Sequence, residues 1–143
     1  MQVKIKIVGD RARMPHYATP GSGAFDLYAI ETKRGHDDYG SVVCRTGLAF
    51  EIPPGYVMLI FSRSGHGFKN GVRLANCVGV IDSDYRGEVR VKLTHDGHRD
   101  LPVRSGDRIA QAEICPIFRV DFEDADSLSA TDRGSNGFGS TGA

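Results

Sequence analysis

Apolar and polar residues alternate along much of the chain with a period of two. Val3, Ile5 and Ile7 alternate with Gln2, Lys4 and Lys6, and Val89, Val91 and Leu93 alternate with Glu88, Arg90, Lys92 and Thr94. Successive side chains of a strand point to opposite faces, so both runs predict half-buried strands. Gly47–Ile52 and Tyr56–Ser62 flank Pro53-Pro54-Gly55, a pattern that predicts a hairpin. Tyr56–Phe61 is apolar on both faces, as expected of a strand sandwiched at the centre of a sheet. Further strands are expected at Phe25–Ala29, Val42–Arg45, Val72–Leu74, Val78–Ile81 and Ile109–Ile117. Helical signals are poor: one turn at Gly65–Asn70 and a turn or two at Asp121–Leu128, neither with a sustained apolar stripe. Many short strands punctuated by Gly and Pro predict an all-β sandwich, jelly roll or barrel.

Composition narrows the partners. A chain of 143 residues, 40% hydrophobic and 25% charged, fits one domain. Its 18 Lys and Arg balance 18 Asp and Glu, which removes the electrostatic case for a nucleic-acid-coating protein. No apolar run approaches the ~20 residues that cross a bilayer, and Met1–Asp10 lacks the apolar core of a signal peptide. The expectation is a cytoplasmic protein without a membrane or nucleic-acid partner. Cys44, Cys77 and Cys115 are isolated and odd in number, which argues against a disulfide framework or structural zinc and predicts buried free thiols. The spacing of His95 and His98 is one that metals use, but Asp96-Gly97 between them reads as a turn.

Five segments carry candidate chemistry. In Gly23-Ala24-Phe25-Asp26-Leu27-Tyr28-Ala29 one carboxylate interrupts an apolar strand. It is either a satisfied turn carboxylate or a metal-linked group, since a buried charge needs a partner. Ser62-Arg63-Ser64-Gly65-His66-Gly67 places hydroxyls, a guanidinium and backbone amides where a helical turn begins, an anion cradle. Capping alone accounts for Ser64 but not for Arg63 beside it. In Asn76-Cys77-Val78-Gly79-Val80-Ile81-Asp82-Ser83-Asp84-Tyr85-Arg86-Gly87 an apolar strand ends at Asp82, which either closes a hairpin through side-chain hydrogen bonds or acts as a general base at a pocket rim. Gly106-Asp107-Arg108-Ile109-Ala110-Gln111 starts a strand and sets polar Gln111 at a buried place. The Gly-rich end, Arg133–Ala143, is either a disordered terminus or a phosphate wrap, with Arg133 supplying a forked charge and Phe138 an aromatic face.

In this order the five segments resemble the trimeric deoxyuridine triphosphatases (dUTPases), most specifically at Val80–Gly87 and Arg133–Gly142. The resemblance implies a β jelly roll of short strands spanning 1–132, with at most one or two short helices. It also implies a flexible tail, 133–143, that closes over the active site. It implies a homotrimer with sites shared between subunits. The implied reaction is hydrolysis of dUTP to dUMP and pyrophosphate with Mg²⁺, which limits uracil in DNA and supplies dUMP for dTMP synthesis. Asp82 would activate the water that attacks the α-phosphorus, and Asp26 would meet the metal through its water shell. Arg63, Ser64 and Gly65 would hold the α- and β-phosphates from a neighbouring subunit, with Gln111 adding a hydrogen bond. Asn76 and the hairpin backbone at Gly79, Val80 and Ile81 would pair with uracil, Tyr85 would pack on the deoxyribose, and Arg90 would join the substrate contacts. Arg133 would clamp the γ-phosphate, Phe138 would stack on uracil, and Gly139, Ser140 and Thr141 would add donors.

Two positions depart from the family pattern: Ala24 where Gly is customary, and His66 where an aliphatic residue is common. Two other readings share the fold. A dCTP deaminase uses a Glu at the pyrimidine ring, whereas here Asp82 and Tyr85 follow the hydrolase pattern. A nucleotide-switched regulatory protein usually carries inserted segments, and none separates these motifs.

Overall fold

The computed structural model describes residues 1–35, 40–97, 101–138 and 140. Their order is β1 (Lys4–Ile7), β2 (Phe25–Tyr28), β3 (Glu31–Arg34), β4 (Val42–Arg45), β5 (Leu48–Glu51), β6 (Tyr56–Phe61), α1 (Ser64–Asn70), β7 (Val72–Leu74), β8 (Gly79–Ile81), β9 (Arg90–His95) and β10 (Arg108–Pro116). Every pairing among them is antiparallel. One four-stranded sheet runs β2-β10-β6-β8, a second runs β3-β4-β9-β7, and β1 pairs with β5. The result is an all-β, jelly-roll-like fold with a single short helix among the described residues.

One apolar core draws on both large sheets. Leu27, Met58, Ile60 and Ile109 come from the first, Val72, Leu74, Val91 and Leu93 from the second, and Leu48 and Phe50 from β5. Full burial of each such side chain contributes about 1.5–3 kcal/mol. The alternation in β9 behaves as its sequence predicts: Val91 and Leu93 are buried while Arg90 and Lys92 are exposed. β6 lies between β10 and β8, the central place its two apolar faces require.

Four expectations need correction. Pro53-Pro54-Gly55 forms a tight turn, with the Tyr56 N–H donating to the Pro53 carbonyl at 3.2 Å and Gly55 at φ 84°. A positive φ at the third turn position is what glycine allows at least cost. Yet this turn joins no hairpin, because β5 pairs with β1 while β6 pairs with β10 and β8. Asp121–Leu128 forms no helix and is exposed, consistent with its lack of an apolar stripe. In β1, Ile5 is half-buried but Ile7 is exposed, because a two-stranded sheet covers little of it. Cys77 is exposed and Cys115 half-buried, so the buried-thiol expectation holds for Cys44 alone, whose thiol burial pushes up to about 12. Cys77 lies in the β7–β8 connection at φ 64°, outside any sheet that would cover it.

β3 has no apolar period and was not legible as a strand. Backbone pairing of Glu31–Arg34 with Val42–Arg45 forms it, with Glu31 opposite Arg45 and bonded to it at 2.9 Å. His95 accepts the Gly97 N–H at Nδ1 (2.7 Å), which is the turn that Asp96-Gly97 implies; His98 lies outside the described residues.

Candidate active site

β8 is an edge strand, hydrogen-bonded to β6 on one side through Met58–Ile81, Leu59–Val80 and Ile60–Gly79. Among the described residues no strand pairs with its other row of backbone donors and acceptors. Beside β8 lies a cleft of about 410 Å³ lined by Ile60, Leu74, Ala75, Asn76, Gly79, Val80, Ile81, Arg90, Val91 and Lys92. Five residues assigned to the nucleotide from sequence (Asn76, Gly79, Val80, Ile81 and Arg90) therefore share one concavity. Asp82 follows β8 and is exposed; its carbonyl accepts the Tyr85 N–H at 3.2 Å, closing a tight turn. With Val80, Ser83, Asp84, Tyr56 and Arg119 it lines a neighbouring hollow of about 390 Å³. Val80 borders both spaces.

A second group gathers where β6 runs into α1. Arg63 is extended at φ −92° and ψ 134°, and the first helical bonds, from the His66 and Gly67 N–H groups, go to its carbonyl. The Ser64 and Gly65 N–H groups precede those bonds, as the first turn of any helix leaves them. Arg63 Nε donates to Asp26 Oδ1 at 2.9 Å, and Arg108 donates to Oδ2 at 3.3 Å. The sequence left Asp26 either satisfied or metal-linked; here its buried carboxylate is satisfied by two cations. Arg108 is the partner that sequence reading missed, and no spacing rule pointed to it, since it meets Asp26 across 82 positions at a register shift in β10. Gln111 lies opposite Asp26 on β2 and donates its side-chain amide to the Ser62 carbonyl at 3.0 Å. His66, the departure from the family pattern, places Nε2 2.8 Å from the Arg108 carbonyl and ties α1 to β10.

Because Arg63 anchors buried Asp26 as well as standing at the cradle, Arg63→Ala is expected to lower stability by about 1–3 kcal/mol. Ser64→Ala is expected to leave the melting midpoint unchanged. Thermal unfolding of the two variants checks this, and equal midpoints would contradict it.

The two groups stand apart within one chain. Asp82 follows Ile81, which pairs with Met58, so it lies beside Val57 at the start of β6, whereas Arg63 lies just beyond the strand's other end. Six residues of extended chain separate those levels by about 20 Å. A third group belongs to the tail. Arg133 Nε donates to the Asn136 carbonyl at 2.9 Å within a turn, and Phe138 is fully exposed. Ser140 donates its N–H to the Gly137 carbonyl, while Gly139 and Thr141 lie outside the described residues.

Comparison with known proteins decides the family. The dUTPase family model matches residues 10–142. The chain belongs to the dUTPase family. Among similar dUTPase relatives, the deoxyuridine 5'-triphosphate nucleotidohydrolase of Anaplasma marginale is 44% identical over 145 residues, covering 98% of this chain and 99% of the relative. That of Desulfitobacterium hafniense is 46% identical over 146 residues, covering 98% and 97%. The solved structure of the Staphylococcus bacteriophage 80alpha dUTPase, a G164S mutant with dUpNHpp, superposes with a TM-score of 0.85 at 25% identity, covering 99% of both chains.

No helix among the described residues is long and apolar enough to cross a membrane. Nor, among those residues, do three or more His, Cys, Asp or Glu side chains gather as a group that could hold a metal ion.

Proposed function

We propose that this chain hydrolyses dUTP to dUMP and pyrophosphate, with Asp82 directing water onto the α-phosphorus. The observation that carries the reading is the cleft beside β8, where Asn76, Gly79, Val80, Ile81 and Arg90 line one concavity and Val80 also borders the hollow that Asp82 lines. A pyrimidine presents a row of donors and acceptors, and an edge strand presents the matching kind of row. Uracil offers an N3–H between two carbonyls, and Asn76 with the backbone at Gly79, Val80 and Ile81 would answer that pattern. Cytosine reverses part of it, which would leave buried groups unpaired at a cost of about 1–3 kcal/mol each. A deaminase reading is not favoured, because the matched family model and the relatives above carry dUTPase names.

Asp82 needs no covalent step. Phosphoryl transfer asks for an oriented nucleophile and stabilised charge, and an exposed carboxylate on a tight turn can hold a water in line. Arg63, with the Ser64 and Gly65 N–H groups, would stabilise charge passing to the pyrophosphate, aided by Gln111. Arg133 would clamp the γ-phosphate. Phe138 would cover uracil as the tail, residues 133–143, closes with Gly139, Ser140 and Thr141 over the site and excludes water.

Mg²⁺ keeps several waters and binds mainly substrate phosphates, so the scattered carboxylates suit an ion carried on the triphosphate rather than in a protein cage. Asp26 would hold one of its waters through the lone pairs that Arg63 and Arg108 leave on each oxygen. Bound there, the ion would neutralise phosphate charge during leaving-group departure.

The distance just described supports a homotrimer with shared sites. One α-phosphate cannot touch both Asp82 and the Arg63 cradle of the same chain, so a complete site draws on more than one copy. The segment after β10 supports this: Phe118, Phe122 and Leu128 are each more than nine-tenths exposed, an apolar surface fitted to a second copy. The expected setting is the cytoplasm, where the reaction would limit uracil in DNA and supply dUMP for dTMP synthesis.

Pyrophosphate release from a panel of nucleoside triphosphates, with and without Mg²⁺, tests the function. Preference for dUTP that depends on the ion is expected, and ammonia release from dCTP with dUTP left intact would overturn it. Tyr85→Ala is expected to narrow the preference for dUTP over UTP by about tenfold, since removing the ring opens space for a ribose hydroxyl. Unchanged selectivity in kcat/KM would remove Tyr85 from sugar recognition.

A further inference from the structure

Glu88 touches two of the residues assigned to the nucleotide, although it lines neither hollow beside β8. Its side chain is 9% exposed. Oε2 accepts from Arg90 Nε at 3.2 Å and from Arg45 Nε at 3.0 Å, and Oε1 accepts the Gly47 N–H at 2.8 Å. Its backbone carbonyl accepts the Tyr85 hydroxyl at 3.1 Å. Between them, Gly87 passes so close under the Tyr85 ring that a Cβ there would overlap the phenol. Tyr85 is thus folded back along its own turn and pinned at its far end.

Burial by itself would raise the Glu88 carboxyl, but the Arg45 side chain, the Gly47 N–H and Arg90 together hold it below the ordinary carboxylate range. The charged form is the one that fits. A half-buried carboxylate with charged and backbone donors on both oxygens has little freedom to move. Arg45 also reaches Glu31 of β3 at 2.9 Å, a contact at a more open position than that of Glu88.

We propose that Glu88 is a positioning residue for nucleotide selection: fastened to Arg45 and Gly47, it sets where Tyr85 and Arg90 stand beside the nucleotide, and so separates deoxyribose from ribose. The proposal rests on the dUTP reading given above. Tyr85 and Arg90 would contact substrate in the ground state as much as in the transition state. Loosening them therefore raises KM and leaves kcat largely alone.

The test compares Glu88→Gln with Glu31→Gln on dUTP and UTP, following pyrophosphate release. Glu31 shares Arg45 but has no bond to Tyr85 or Arg90. Glu88→Gln is expected to raise KM for dUTP about tenfold, to keep kcat within about twofold, and to cut the dUTP-over-UTP ratio of kcat/KM about tenfold. Glu31→Gln is expected to match the unsubstituted chain. A fall in kcat without a change in KM, or an unchanged dUTP-over-UTP ratio, would overturn the assignment. Should Glu88→Gln not fold, Tyr85→Phe cuts the other link, the hydroxyl's bond to the Glu88 backbone carbonyl, while keeping the ring. Unchanged selectivity there would overturn it equally. If the unsubstituted chain released pyrophosphate no faster from dUTP than from the other nucleotides, the substrate reading itself would fail and this proposal with it.

Discussion

Replacing Asp82 with Asn is expected to lower kcat by about 10²–10⁴-fold while leaving nucleotide affinity within a few-fold of the unsubstituted chain. The amide keeps the shape of the carboxyl group and the turn that the Asp82 carbonyl forms with the Tyr85 N–H. It loses the basic oxygen that would accept the proton of the attacking water. Because Asp82 is exposed and stands at the end of an edge strand, the change leaves the core untouched and the melting midpoint is expected to stay put. Single-turnover kinetics with titration of a non-cleavable dUTP analogue separate the two effects. Turnover near the unsubstituted rate would remove Asp82 from the chemistry, and lost binding would recast it as a substrate contact.

Deleting residues 133–143 is expected to leave a folded protein and to cost activity by a similarly large factor. The core residues all precede this segment, and its described part forms a local turn of Arg133 with Asn136 and Gly134 with Thr131. Among the described residues, none of this segment joins the core between the two sheets. The proposed closure depends on it wholly, because Arg133 and Phe138 supply the γ-phosphate clamp and the uracil cover. Kinetics and size-exclusion chromatography of the truncated chain check this. A monomeric or unfolded product, or full activity, would contradict the tail's assigned role.

Much of the fold was legible because burial writes a period of two. Val42–Arg45 and Val72–Leu74 have the bounds that the apolar runs predict, and the central place of β6 follows from its two apolar faces. β3 was not legible: Glu31–Arg34 is polar throughout and forms through backbone pairing and the Glu31–Arg45 contact, neither of which leaves an apolar signal. The false hairpin at Pro53–Gly55 has the same origin. Turn chemistry fixes how the chain bends, whereas which strands then pair depends on partners far away in sequence. In the site, the residues along β8 and its turn were legible as one contiguous motif. The contacts of Asp26 with Arg108 and of Glu88 with Arg45 were not, since they span 82 and 43 positions and no local spacing encodes them. The division of site residues between the two ends of β6 emerges from strand register alone.

The bond that water breaks is the most direct test of the whole account. With dUTP hydrolysed in heavy-oxygen-labelled water, attack at the α-phosphorus predicts that the label appears in dUMP and not in pyrophosphate. Label recovered in pyrophosphate would place the attack on the β-phosphorus and contradict the role given to Asp82.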